Sequence, residues 1–415
     1  MTTVTQPVRQ RDAGLRARAA AVVPGGMYGH LDAGRMPSSF PQFFQRAEGC
    51  RLWDVDGNEY VDLMCSWGPI VLGHHHPGVE EAVDAQRALG DTLNGPGEVM
   101  VQLAELLVDR VAHADWVLFA KNGTDATTVA LMVARSTTGR SKILAARGSY
   151  HGSAPWCTPR LDGTVAGDRE NIVLFDYNDT ASFDAAVEAA GREFAGVIVT
   201  PFRHDAGFDQ EMATPEFARH LRAVCDRRDA ALILDDVRCG LRLHDGGSWE
   251  PLGVAPDLSA WSKAIANGYA LSALMGSDAF RDGAARLFVT GSFWMSAVPM
   301  AAAVATLQAH RAEGALERMV RAGTLLRAGL AEQARAHGVA VNQTGPVQMP
   351  YVTFPGDVNH ERGRAFADAA VNHGVYLQPT HNWFLSAAHS DDDIGAVLEA
   401  TDQAFRAVRE QFGGS

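Results

Sequence analysis

A lysine stands alone in an uncharged run, Ala260-Trp261-Ser262-Lys263-Ala264-Ile265, closed by Asn267-Gly268. An ammonium there is costly to bury unless it is paired, deprotonated or converted into something else. A Schiff base with an aldehyde is one such conversion. Upstream, the apolar run Ala230-Ala231-Leu232-Ile233-Leu234 ends in two acids, Asp235 and Asp236. Its length suits a fully buried parallel strand, and ligands of open α/β sheets sit outside the carboxyl ends of strands. On these residues alone, a structural lysine in an ordinary ion pair is the simpler reading.

Two further stretches change that balance. Asn122-Gly123-Thr124-Asp125-Ala126 joins a strand signal to a helix signal, and free N–H groups at such a helix start make a phosphate seat. Alone the stretch is also a turn with a cap. No Walker A or GxGxxG pattern occurs, which argues against a nucleoside triphosphate or a dinucleotide. Ser149-Tyr150-His151-Gly152 follows another strand, and Tyr150 can lie flat on a planar ligand. An aldehyde-holding lysine, a carboxylate for a pyridine nitrogen, an anion seat and an aromatic ring face are together what pyridoxal phosphate needs. The freed lysine would then shuttle the substrate proton as general base and acid.

The elements that position these groups alternate. A hairpin is expected around Asp56-Gly57, then helices over 78–89 and 98–112. Strands are expected at 116–119, 143–145, 172–175, 197–199, 232–234 and 271–275. Thr214 followed by Pro215 signals the helix before the central strand. Alternating strands and helices predict an α/β domain with a mainly parallel sheet. A helical run from Pro299 to about His337 leads to a smaller α+β unit with strands near 349–354 and 375–378 and helices at 361–372 and from Ser390 onward.

Composition narrows the class. The chain has 415 residues, 47% hydrophobic and 20% charged, as in an ordinary globular protein. Its formal charge of −13 argues against a nucleic-acid partner. No apolar run reaches the ~18 residues of a membrane span. Five scattered cysteines without CxxC spacing read as reduced thiols in a cytoplasmic protein. The run His74-His75-His76 invites a metal, but adjacent loop residues point apart and no ligand follows at suitable spacing, so no metal is expected.

Taken together, several stretches resemble class III pyridoxal-phosphate aminotransferases, especially their glutamate-1-semialdehyde aminomutase branch. They are Val23-Pro24-Gly25-Gly26, Leu52-Trp53-Asp54-Val55-Asp56-Gly57, Ser66-Trp67-Gly68-Pro69 with Val71-Leu72-Gly73-His74, Lys121-Asn122-Gly123-Thr124, Tyr150-His151-Gly152, Asp235-Asp236-Val237 with Gly240-Leu241-Arg242, and Pro256-Asp257-Leu258 leading to Lys263. The resemblance implies a fold-type I transferase: a large domain with a mainly parallel seven-stranded sheet, plus a smaller α+β domain. Residues 1–65 would contribute to the small domain, 66–310 would form the large one and 311–415 the rest of the small one. It also implies a homodimer with shared active sites.

By the same resemblance Lys263 is the Schiff-base lysine and Asp235 the partner of the pyridine nitrogen. Val237 and Tyr150, with His151 beside it, would flank the ring. Asn122, Gly123 and Thr124 would seat the phosphate, with Asp125 nearby, and Thr290 or Ser292 would reach the phosphate from the neighbouring subunit. The substrate residues depart from the aminomutase pattern. Gly29 and Asp32 stand where aminomutases carry a Ser and an Arg, and the segment with their C-terminal Glu reads His381-Asn382-Trp383-Phe384. Arg35 and Arg203 are the substitute carboxylate anchors by position. Tyr28, Trp67, Trp294 and Trp383 suggest either a bulkier, less polar pocket or aromatics filling a dimer interface. The expected reaction is transfer of an amino group from an amine or amino acid to a carbonyl acceptor, with an intramolecular aminomutase as the alternative.

Overall fold

The computed structural model describes residues 9–32, 37 and 39–413. Its centre is a seven-stranded sheet in the order Trp116–Ala120, Ser272–Gly276, Leu258–Trp261, Ala231–Asp235, Phe194–Val199, Lys142–Ala146, Ile172–Phe175. Ser272–Gly276 pairs antiparallel with both neighbours, and the other pairings are parallel. Six carboxyl ends therefore open on one edge.

Alternation along these strands splits the core in two. Leu232, Leu234, Val197 and Val199 pack with Phe183 and Phe217 of the helices Thr180–Ala190 and Pro215–Arg228. Ala231, Ile233 and Ile198 face Val129 and Val133 of the helix Gly123–Thr138. Thr214 caps Pro215–Arg228 as its sequence implies, accepting from the Phe217 amide at 3.1 Å. The expected strands and helices are all present with ends shifted by a few residues.

Three features differ from the sequence reading. Leu258–Trp261 is a strand, although its run into Lys263 carries no period-two pattern; it is buried on both faces. The helical run after Pro299 is two helices, Ala297–Ala312 and Ala315–His337, parted at Gly314, whose φ of 62° is a left-handed value. The turn at Asp56-Gly57 is wider than two residues. Asp54 Oδ1 accepts from the amides of Asp56 and Asn58 and holds a longer loop between Arg51–Asp54 and Glu59–Asp62.

The second layer joins distant parts of the chain. Phe44–Glu48, Arg51–Asp54 and Glu59–Asp62 form an antiparallel meander, and Val375–Tyr376 adds to it in parallel, with Val375 opposite Val61. Tyr60, Val61 and Leu63 share one core with Phe366, Val397 and Phe405 of the helices Glu361–Asn372 and Asp391–Phe412. No helix among the described residues is long and apolar enough to cross a membrane.

Candidate active site

The chemistry-bearing residues meet at the open edge of the sheet. Asp235 ends the central strand opposite Ala260 of the next one, and Lys263 follows that strand at the first position of the short 3-10 turn Lys263–Ala266. Parallel pairing thus brings the two to the same end of adjacent strands. The φ of Lys263 is 49°, a left-handed value uncommon for a side-chain-bearing residue.

Lys263 Nζ donates to the Trp67 carbonyl at 3.0 Å. Burial first, and the Arg238 guanidinium next, push the lysine pKa down to about 7, with Asp235 pulling the other way. An amine so placed is available in its neutral, nucleophilic form near neutral pH. Asp235 is 4% exposed. Its Oδ1 accepts from the Val237 amide at 3.1 Å, and its Oδ2 lies 2.7 Å from His151 Nδ1. His151 Nε2 leans on Ser149 Oγ at 3.0 Å. His151 therefore stands behind Asp235 and fixes its carboxylate.

The phosphate-type seat is the start of Gly123–Thr138. Asn122 caps it, accepting from the Asp125 amide at 3.1 Å, while Asp125 Oδ2 returns to the Asn122 amide at 3.1 Å. This closes a capping box. Asp125 is thus spent on the helix start, a role its spacing from Asn122 already allowed. The Gly123 and Thr124 amides are first-turn donors without intrahelical acceptors. A Cβ on Gly123 would come within 2.6 Å of Val237 Cγ1. One on Gly152 would lie 2.4 Å from Thr124 Oγ1, at a φ of 128°. Both approaches leave backbone where a phosphate and a flat ring need room. Tyr150 is half-exposed at this edge, close enough to Asp235 and Arg238 for both charges to act on its hydroxyl.

Opposite, the chain folds an aromatic wall. Cys65, Ser66 and Trp67 have successive φ values of 47°, 54° and 67°. This strained turn is held by Asp62 Oδ1, which accepts from the Met64 and Cys65 amides at 2.8 and 2.9 Å. The fully buried Arg242 holds it from the other side, donating to the carbonyls of Gly68 (2.9 Å), Ile70 (2.8 Å) and Leu385. Trp67 meets His30 edge-on at 4.5 Å and His381 at 4.9 Å between ring centres.

The remaining expected residues have these surroundings. Arg203 pairs with Asp205 at 2.8 Å and Glu211 at 3.8 Å, so its guanidinium is already neutralised by protein acids. Tyr28 is 72% exposed. Trp383 is a core residue stacked on Phe366, and Trp294 packs near Leu118, Leu274 and Val289 against the core under the sheet. Thr290 and Ser292 are exposed on the loop before Ala297–Ala312. Arg35 lies outside the described residues. His74 and His76 separate, to Asp62 and Glu313, each at 3.0 Å. No three His, Cys, Asp or Glu side chains gather in a metal-binding cluster among the described residues.

The residues that sequence reasoning missed arrive from remote loops. Arg238 donates from Nη1 to the His204 carbonyl at 3.3 Å and to Asn382 Oδ1 at 2.9 Å. His204 and His381 are both held well below the usual histidine pKa, by burial first and by Arg238 next. The one sequence signal was Arg238 itself, a charge three residues past a buried strand.

The lysine, the carboxylate behind it and the glycine-lined helix start fit pyridoxal phosphate, and this sheet with that site defines a fold-type I pyridoxal-phosphate enzyme. The model of the aminotransferase class-III family matches residues 34–399, and the chain belongs to that family. It is 51% identical to an aminopentol aminotransferase of Sphingopyxis macrogoltabida over 404 residues, covering 97% of this chain and 95% of the relative. It is 32% identical to a glutamate-1-semialdehyde 2,1-aminomutase of Brevibacillus brevis, over 96% and 99% of the two chains. A solved structure of the pyridoxal-phosphate internal aldimine form of the FumI protein from Sphingopyxis sp. MTA144 superposes with a TM-score of 0.96 at 51% identity, covering 97% of each chain. The protein is a pyridoxal-phosphate-dependent aminotransferase working through Schiff-base chemistry.

Proposed function

We propose that Lys263 is the residue that holds the cofactor aldehyde and that the amino donor is a hydroxylated amine. The observation that carries the first half is the Lys263–Asp235 pair at adjacent strand ends, with the amine depressed to about 7. When bound, the cofactor supplies an electrophilic carbon for the donor amine and a ring that takes up electrons from the donor carbon. Asp235, braced by His151, keeps a negative charge at the pyridine nitrogen. The Gly123 and Thr124 amides, with Asn122 and Asp125 shaping the helix start, hold the phosphate. Val237 and Tyr150 take the two ring faces. Lys263 Nζ, beside the donor carbon, would act as the general base and acid that takes up and returns the substrate proton.

The donor half rests on the 51% identical relative, whose name makes its substrate an amino alcohol, and on the Trp67 wall beside Lys263. The acceptor is a small carbonyl compound. The resemblance to aminomutases supports a second reading, in which the amino group moves within one substrate. Gly29 and Asp32, standing where aminomutases carry Ser and Arg, weigh against it.

The assembly is a homodimer with Thr290 or Ser292 reaching the partner's phosphate. Supporting this, Phe288 and Phe293 on the same loop are 92% and 63% exposed, an apolar surface that a partner would cover. The large part is 66–310, with 1–65 and 311–415 forming the small one. The shared core of Tyr60 and Phe405 supports the pairing of the two outer segments. Free cysteines, four of the five buried, suit a reduced cytoplasmic setting.

The test is the visible spectrum of purified protein against a panel of amines, beside Lys263→Ala. A band at ~420 nm, absent as a lysine adduct in the variant and bleached by an amine, supports aminotransfer. A band that no amine bleaches supports the aminomutase reading. A cofactor-loaded protein without the band removes Lys263 from its role.

A further inference from the structure

His381 stands against Trp67, near enough to Lys263 for its charge to act on the ring, and commits one ring nitrogen to the protein. Its Nδ1 lies 2.7 Å from the carbonyl oxygen of Asn382. A carbonyl oxygen only accepts, so Nδ1 carries the proton, and in the neutral ring Nε2 is then a bare acceptor. Burial and the neighbouring Arg238 keep the ring neutral. The ring is locked in place: Asn382 Oδ1 accepts from Arg238 at 2.9 Å, its Nδ2 donates to the Trp383 carbonyl at 2.8 Å, and Trp67 packs edge-on at 4.9 Å. The carbonyl of that same Trp67 is 3.0 Å from Lys263 Nζ.

A bare nitrogen acceptor discriminates by chemistry. A hydroxyl can donate to it; a carboxylate, a ketone or a methyl group cannot. A group attached to the carbon beside the donor nitrogen would extend from Lys263 towards the Trp67–His381 wall, where the indole face suits the alkyl part. We infer that His381 Nε2 accepts a hydrogen bond from a hydroxyl next to the reacting carbon and so selects amino-alcohol donors. This deepens the aminotransfer reading above and rests on it. The sequence marked this segment only as the place where the aminomutase Glu is missing; the acceptor role follows from the Nδ1 contact.

The experiment compares kcat/KM for 2-amino-1-propanol and the isosteric 2-aminobutane, with the cofactor-loaded full chain and a fixed carbonyl acceptor. The wild type is expected to favour the amino alcohol by about tenfold or more. In His381→Phe, which keeps a ring and loses the acceptor, the ratio should collapse towards one. In His381→Gln, whose Oε1 can stand near the Nε2 position, it should be partly restored. Thermal melting and cofactor absorbance establish that each variant is folded and loaded. Equal use of both amines by the wild type, or an unchanged ratio in His381→Phe, overturns the role of His381 while leaving aminotransfer intact. Failure of both amines with a loaded wild type sinks the amino-alcohol donor and this inference together.

Discussion

Lys263 donates to the carbonyl of Trp67, and both residues hold left-handed backbone, with φ of 49° and 67°. Such conformations cost on the order of 1–3 kcal/mol each and persist only where surroundings over-determine them. Here the surroundings are a strand end on one side and the Asp62–Arg242 brace on the other. The contact ties the reacting nitrogen to the wall that shapes the substrate.

The depressed lysine makes cofactor loading a pH measurement. Only the neutral amine attacks an aldehyde, so the rate at which cofactor-free protein captures pyridoxal phosphate should rise through about pH 7 and level off above it. Arg238→Met removes a neighbouring positive charge, lets Nζ keep its proton to higher pH and moves the midpoint up. Stopped-flow absorbance across pH reads both; a wild-type midpoint near the ordinary lysine value of 10.5 would contradict the burial argument.

Gly152→Ala should loosen cofactor binding. The new Cβ would sit 2.4 Å from Thr124 Oγ1 at an unfavourable φ, displacing the helix start. A stability loss of about 1–3 kcal/mol is expected, with roughly tenfold weaker cofactor retention for a displacement worth ~1.4 kcal/mol. Gly139→Ala, at the other end of the same helix with open space around it, should cost about 1–2 kcal/mol and leave retention unchanged. Equilibrium dialysis beside thermal melting separates the two.

Arg242→Met should destabilise the chain by about 3 kcal/mol, because buried carbonyls of Gly68, Ile70 and Leu385 lose their donor. Urea denaturation measures it. The Trp67 turn loses its brace as well, so KM for the donor should rise more than kcat falls; an unaltered KM would mean that the turn holds itself.

Asp235→Asn keeps the shape and removes the charge at the pyridine edge. Donor turnover should fall by about 10²–10³-fold, the scale of a lost preorganised electrostatic contact. Spectra taken at matched cofactor occupancy show whether the loss is chemical or a failure to bind.

The groups that sequence disclosed are those carried by one strand and the loop after it. Lys263, Asp235 and Gly123 each follow an apolar run at short range, so strand pairing alone brings them to one edge. His381, His204 and His30 converge from three separate loops, and nothing local announces where a loop will return. Arg203 looked available because the sequence does not say that Asp205 and Glu211 will face it. Trp383 was an aromatic near a family motif, and only packing on Phe366 shows it to be core. The strand Leu258–Trp261 escaped notice because a strand buried on both faces, with polar Ser259 inside, loses the alternation by which strands are read.

The parallel pairing of Val375–Tyr376 with Glu59–Asp62 also orders events in time. At translation rates of about 5–20 residues per second, the N-terminal meander waits some 15–60 s for its last strand to be made. Meanwhile Tyr60, Val61 and Leu63, fully covered in the finished protein, stand on an open sheet edge. The nascent chain is most exposed to mispairing of that strand edge in that interval.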